Sequence, residues 1–197
     1  MKKAHLFGWI GLIALSSAVA VPPAMADTAV VQPAFDRTGR NDFGVQIGGG
    51  FASDSIDDAL YLGADWSHGV NSWLGLGIEA GWQESDFDIS NDNDLSMVTV
   101  FGDVIGRLNL PDSPLVPYGI VGIGVLHAYT DTTSNNDDET AFAMKFGAGL
   151  DWFVNTNWIV NVEAAYIATG GEITDSGTAN TADLDHWRAT AGLKYLF

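Results

Sequence analysis

From residue 42 to residue 197, period 2 dominates: the chain divides into eight segments, and in all but one of them apolar residues alternate with small or polar ones. The last segment, residues 186–197, is among the clearest. Trp187, Ala189, Ala191, Leu193, Tyr195 and Phe197 form one set, and His186, Arg188, Thr190, Gly192 and Lys194 form the other. Only an extended strand sends successive side chains to opposite faces, so this period predicts β-structure with two chemically unlike faces.

Five earlier segments repeat the pattern cleanly. Phe43, Val45, Ile47 and Phe51 oppose Gly44, Gln46, Gly48 and Gly50, and Leu60, Leu62 and Trp66 oppose Tyr61, Gly63, Asp65 and Ser67. Leu76, Ile78 and Trp82 oppose Gly77, Glu79 and Gln83. Phe142, Phe146 and Trp152 oppose Lys145, Gly147 and Asp151, and Trp158, Val160 and Tyr166 oppose Asn161 and Glu163. The fourth segment sets Val98, Val100, Val104, Leu108 and Leu110 against Asp103 and Arg107, but with Phe101 and Ile105 on the polar side. The fifth, around residues 118–129, is apolar on both faces, and alternation leaves its phase open. Long acidic links at 53–59, 84–94, 130–140 and 170–185 alternate with short ones at 68–72, 111–117 and 155–157. Seven connections imply eight strands, joined up and down.

Residues 1–26 read as a secretory signal peptide. Lys2 and Lys3 give a basic start, residues 6–21 are largely apolar, and Ala24-Met25-Ala26 supplies small residues before a cut. The expected mature chain carries six Lys+Arg against 25 Asp+Glu, a net of −19 that repels nucleic acid. Residues 27–41 form an irregular lead-in to a single domain at 42–197. No later stretch offers the ~18 consecutive apolar residues of a spanning helix, so any membrane would be crossed by strands. With no cysteine, stability must come from packing and backbone pairing.

A soluble lipocalin-like barrel would show the same alternation with its apolar face inward. Three features favour the reverse. The polar faces carry nine charges (Asp65, Glu79, Asp103, Arg107, Lys145, Asp151, Glu163, Arg188 and Lys194), too few for a solvated exterior of eight strands. Beyond Arg40, every Lys or Arg lies on those faces, four against five carboxylates, a near balance suited to a salt-bridged interior. Arg188 and Lys194 have candidate partners in Glu79, Asp103, Asp151 and Glu163. Finally, Trp66, Trp152, Trp158 and Tyr195 fall near the short-turn rim, and Trp82, Tyr166 and Trp187 near the long-loop rim, as two interfacial girdles would.

With the expected signal peptide, the eight segments, residues 101–109 followed by the Gly-rich 118–124, and the terminal Tyr195-Leu196-Phe197, residues 42–197 resemble small outer-membrane β-barrel proteins of the OmpA-transmembrane-domain and opacity-protein-like type. The resemblance implies an all-β, eight-stranded antiparallel up-and-down transmembrane β-barrel in the outer membrane of a Gram-negative bacterium, reached by Sec-type export. It further implies that Tyr195 and Phe197 form the assembly signal read by the barrel-assembly machinery. No peptidoglycan-binding domain is expected after Phe197.

Lipid A deacylases and acyltransferases, which some such barrels resemble, use His with Ser. Here His68 beside Ser67, His127 and His186 are the candidates, but the deacylases' His-x-Ser-Asn pattern is absent. Residues 86–94 alternate Asp as a calcium loop does, without the Gly at position six or the Glu at position twelve. The expectation is therefore a non-enzymatic monomer with a plugged lumen and no cofactor beyond weak divalent-cation binding by acidic loops. It would serve envelope integrity or surface interaction, contacting outer-membrane lipid, lipopolysaccharide and an extracellular ligand the sequence does not name. A narrow porin-like channel for small or apolar solutes, a lipid A-modifying enzyme and a soluble secreted barrel are the alternatives.

Overall fold

The computed structural model describes residues 35–197 apart from 53–58, 87–93, 112, 132–137, 171 and 176–179. The expected signal peptide, the lead-in up to residue 34 and the centres of the acidic loops lie outside the described residues. Among the described residues there are ten strands: β1 Asn41–Ala52, β2 Ala59–Gly69, β3 Leu74–Asp86, β4 Asp94–Arg107, β5 Leu115–Asp131, β6 Asp138–Phe153, β7 Trp158–Thr169, β8 Glu172–Asp175, β9 Asn180–Asp183 and β10 His186–Leu196.

Eight of these close into a barrel in the order β1-β10-β7-β6-β5-β4-β3-β2, with every pairing antiparallel. The seam sets Phe43 opposite Tyr195 and Phe51 opposite Trp187. Closure leaves no free edge, so the ladder's N–H and C=O groups are paired without help from water. The exposed face is the apolar one, with Ile78 56% and Phe142 59% accessible, while Arg188 is 2% and Lys145 0% accessible. Water would drive that arrangement inside out; hydrocarbon stabilises it.

The expected loop at 170–185 contains a separate hairpin, β8 with β9, pairing Glu172 with Asp183. Its strands are four residues each and lack apolar alternation, so periodicity could not reveal them. The expected acidic loops at 84–94 and 130–140 are shortened in the same way, since pairing continues to Asp86 opposite Asp94 and to Tyr129 opposite Asp138. A ladder needs no apolar face above the lipid, and polar residues extend it unannounced. At the opposite rim β4 stops at Arg107, short of the expected Leu110, and β5 starts at Leu115, ahead of the expected turn's end at Pro117, whose carbonyl accepts from Leu108 N at 2.8 Å. The phase of β5 resolves with Val116, Tyr118, Ile120, Leu126 and Ala128 buried, and Val121, Ile123 and Val125 outward. Both its faces are apolar because Val116, Leu126 and Ala128 line the apolar ends of the lumen, while Ile120 and the ring of Tyr118 border the charged cavity between them.

The register lines outward aromatic residues into two rows. Trp66, Phe43, Tyr195 and Trp158 face one another across β2, β1, β10 and β7 near the turns. Phe51, Trp187, Tyr166 and Phe146 do so across β1, β10, β7 and β6 nearer the loops. Trp158 packs edge-on to Tyr195 at 5.0 Å, and Tyr166 tilts against Trp187 at 5.2 Å. Trp66, Trp152, Trp158 and Trp187 are exposed and Trp82 and Tyr166 half-buried, while Trp73, in the turn after β2 and outside any alternating segment, adds a further exposed ring.

Candidate functional site

Inward side chains stratify along the barrel. At the turn side Val116, Phe153, Ile159 and Leu196 form a buried apolar cluster, with Phe35 packed against it. At the loop side Met97, Phe101, Leu126, Ala128, Ala143, Ala165, Ile167 and Leu184 form another. Between them lies a belt of charges around a cavity of about 20 Å³, room for roughly one water.

All nine expected lumen charges are buried in or beside this belt. Lys145 Nζ donates to Glu79 Oε2 at 2.9 Å and Asp103 Oδ2 at 2.8 Å. Arg188 Nη2 lies 2.7 Å from the other Glu79 oxygen and 3.5 Å from Glu163 Oε1, so Glu79 is shared by two cations. Tyr61 OH donates to Glu79 at 3.2 Å, and the Arg188 guanidinium stands 4.2 Å over the Tyr61 ring. Tyr118 OH donates to Glu163 Oε2 at 2.9 Å. Shared carboxylates and phenol donors keep each buried charge close to an opposite charge or dipole, the condition under which such charges are tolerated.

Two partner assignments differ from expectation. Lys194 pairs with Asp65, at 3.1 Å, and with none of the four expected carboxylates. The register explains it: Gly44 on β1 lies opposite both Lys194 and Asp65, and a Cβ there would come within 2.7 Å of Asp65 Oδ1 and of Lys194 Cγ. The missing side chain lets the two reach across the intervening strand. Asp151 accepts from Arg37 Nη2 at 2.7 Å rather than from Arg188 or Lys194.

Arg37 is the residue that periodicity could not find, because it lies in the lead-in before β1 yet is 3% exposed inside the barrel mouth. It also reaches Asp42 Oδ2 at 3.4 Å, and burial, which pushes its pKa down, is outweighed by Asp151 and Asp42, so its guanidinium is held charged. Asp42 in turn accepts from Ser67 Oγ at 2.8 Å and lies 3.9 Å from Arg107. The described lumen thus holds five cations against six carboxylates, one more of each than the alternation places there. The charge count gave no signal for it, since five inward carboxylates to four cations is already near balance and Arg37 enters together with Asp42, leaving the same excess of one carboxylate.

The histidines do not converge on a serine. His68 Nδ1 contacts Asn41 Oδ1 at 3.0 Å at the turn rim, and His127 Nδ1 contacts Thr140 Oγ1 at 2.9 Å on the outward face. His186 is buried on the lumen side, as its place on the Arg188 face predicts, with Nδ1 2.9 Å from the Leu184 carbonyl. Ser67 Oγ is engaged by Asp42 and Arg107. At the loop rim, burial pushes the Asp185 carboxyl up, but hydrogen bonds from Thr169 N at 2.6 Å and Tyr166 OH at 2.7 Å hold it below the usual range. Among the described residues no group of three or more His, Asp or Glu converges as a metal site.

Several solved structures share this architecture at low sequence identity. Pseudomonas aeruginosa OprG superposes with a TM-score of 0.66 at 15% identity, over 82% of this chain and 97% of that one. Neisserial surface protein A gives 0.61 at 12%, over 80% and 96%, and Ail, the attachment invasion locus protein of Yersinia pestis, gives 0.56 at 15%, over 81% and 99%. These likenesses concern the fold. At the sequence level, a 22 kDa outer membrane protein of Rhizobium leguminosarum bv. viciae is 26% identical over 122 residues, which span 60% of this chain and 56% of that relative. Residues 11–197 match the outer membrane protein beta-barrel domain, a span that takes in every strand, both aromatic rows and the charged lumen. An inside-out polar core, a closed ladder and that match together make the chain a member of the outer membrane protein beta-barrel family, integral to the outer membrane.

Proposed function

We propose that this barrel is a sealed, non-enzymatic element of the outer membrane that contributes to envelope integrity or to surface interaction through its acidic loop-side rim. It works as a monomer in contact with outer-membrane lipid and lipopolysaccharide, after delivery by the barrel-assembly machinery. The observation that carries this reading is the lumen: a cavity of about 20 Å³, interlocked charges, and an apolar cluster at either end. A path for ions or small polar solutes would need a continuous polar channel wider than one water. Purified protein in planar bilayers is therefore expected to give no large, stable conductance steps. Stable steps at neutral pH would favour the narrow-channel reading.

The rim supports a role for divalent cations. Sixteen of the 25 Asp and Glu residues lie in the stretches 53–59, 84–94, 130–140 and 170–185, and those stretches contain no Lys, Arg or His. Such a surface repels anionic lipopolysaccharide phosphates unless a cation bridges the two. Calcium or magnesium is expected to raise thermal stability and slow loop proteolysis in lipopolysaccharide-containing bilayers, more than sodium at equal ionic strength does. Unchanged melting and cleavage would remove the cation from the account.

A further inference from the structure

The turn-side mouth of the barrel is closed by a segment outside the barrel ladder. Residues 35–40 fold back beneath β1, with Gly39 N bonded to Gly69 O at 2.7 Å and Gly69 N to Arg40 O at 2.9 Å. Gly39 takes φ +71°, the left-handed turn that sends the chain back toward the mouth and that a side-chain-bearing residue adopts only with strain. From this turn Arg37 enters the lumen. Its guanidinium lies between Asp151 and Asp42, 5.1 Å over the ring of Phe153, and the Phe35 ring packs against the same ring at 5.0 Å.

The receiving groups form a socket of specific chemistry. Asp42 and Asp151 are each 1% exposed, and the Oδ1 atom of each has no hydrogen-bond partner among the described residues. Two buried carboxylates beside an aromatic face match a planar guanidinium, which bonds carboxylates through a fixed fork and stacks on rings; a spherical cation meets only the first requirement. Arg107, the nearest other cation, stays 3.9 Å from Asp42 and leaves its Nε and Nη1 without partners. Withdrawal of Arg37 would leave this acidic pair open to the turn-side solvent while the barrel's own pairings remain intact.

We infer that the Asp42–Asp151–Phe153 mouth is a guanidinium-binding site, filled in cis by Arg37, and that residues 35–40 act as a withdrawable stopper over the lumen. The inference rests on the reading of a sealed lumen. It assigns the site a ligand class: a free guanidinium compound, or the arginine of another chain, that displaces or replaces Arg37.

The chain has no cysteine, so a single thiol at Ser67→Cys, on the wall behind the stopper, reports access without background. The barrel is reconstituted in bilayers and exposed to a charged, water-soluble thiol reagent, with heat-modifiable mobility confirming the fold. Labelling should be slow with Arg37 present and at least about tenfold faster with Arg37→Ala. Guanidinium chloride at non-denaturing concentration should slow it again, while sodium and tetramethylammonium at equal ionic strength should not. Phe35→Ala, which leaves both ion pairs in place, should give a smaller acceleration. If Arg37→Ala fails to fold, guanidinium added during refolding should restore yield, and absence of that rescue overturns the site. Equal labelling with and without Arg37 in folded barrels, or equal effects of guanidinium and sodium, also overturns it. Fast labelling with Arg37 intact would instead defeat the sealed lumen itself, and the stopper with it.

Discussion

Arg188→Glu is expected to remove most or all of the folded barrel. The native guanidinium sits 2.7 Å from Glu79 and 3.5 Å from Glu163, over the Tyr61 ring, in a residue 2% exposed. Deleting one member of such a buried pair costs about 3–5 kcal/mol, and reversing its sign adds a third carboxylate to two that have lost their shared cation. Against a total stability of about 5–15 kcal/mol, little is left. Refolding into vesicles, followed by urea denaturation and heat-modifiable mobility on gels, measures the loss. Arg188→Lys should fall between parent and Arg188→Glu, since it keeps the charge but gives up the planar stacking on Tyr61, worth about 2 kcal/mol in a desolvated site. A glutamate variant as urea-resistant as the parent would show that residue 188 does not face the lumen, and with it the inside-out assignment of all eight barrel strands would fall.

Phe197→Ser is expected to fail at a different step. The ring is 56% exposed and outward, stacked on Tyr195 at 6.4 Å, while its backbone exchanges bonds with Asn41 at 2.8 and 2.9 Å whatever the side chain. A lipid-facing terminal side chain contributes little to the finished ladder, so the stability of inserted barrels should move by no more than about 1 kcal/mol. If the terminal aromatic is read during insertion, the amount of protein reaching the outer membrane in cells should drop several-fold. Quantifying the inserted fraction in cells beside urea midpoints in vesicles separates the two effects. Equal insertion of parent and variant would strip Phe197 of the assembly role, leaving Tyr195 as a packing residue of the turn-side row.

The split between these outcomes follows the split between what alternation encodes and what register adds. Faces were legible wherever one side was apolar and the other small or charged, which is why seven barrel strands could be oriented from sequence and β5, apolar on both sides, could not. Charge partners were not legible, because a pair such as Lys194–Asp65 depends on which residues fall opposite Gly44, and pairing register is set jointly by three strands. Arg37 escaped for another reason: its role depends on a chain reversal at Gly39 rather than on any repeat. The ladders above the loop-side girdle escaped because polar residues pair there without an apolar face to advertise them.

The two aromatic rows also measure a length. Phe43 and Phe51, Tyr195 and Trp187, and Trp158 and Tyr166 are each eight residues apart on their strands. At ~3.3 Å per residue and a tilt of ~40°, the rows stand about 20 Å apart along the membrane normal. The apolar band of an outer-membrane barrel is ~25 Å tall, so the two rows sit just inside its edges, with the exposed Phe197 one outward position beyond the turn-side row. The rows therefore fix how far the barrel can slide along the membrane normal, because a shift by one strand repeat would carry one row into hydrocarbon and the other into water.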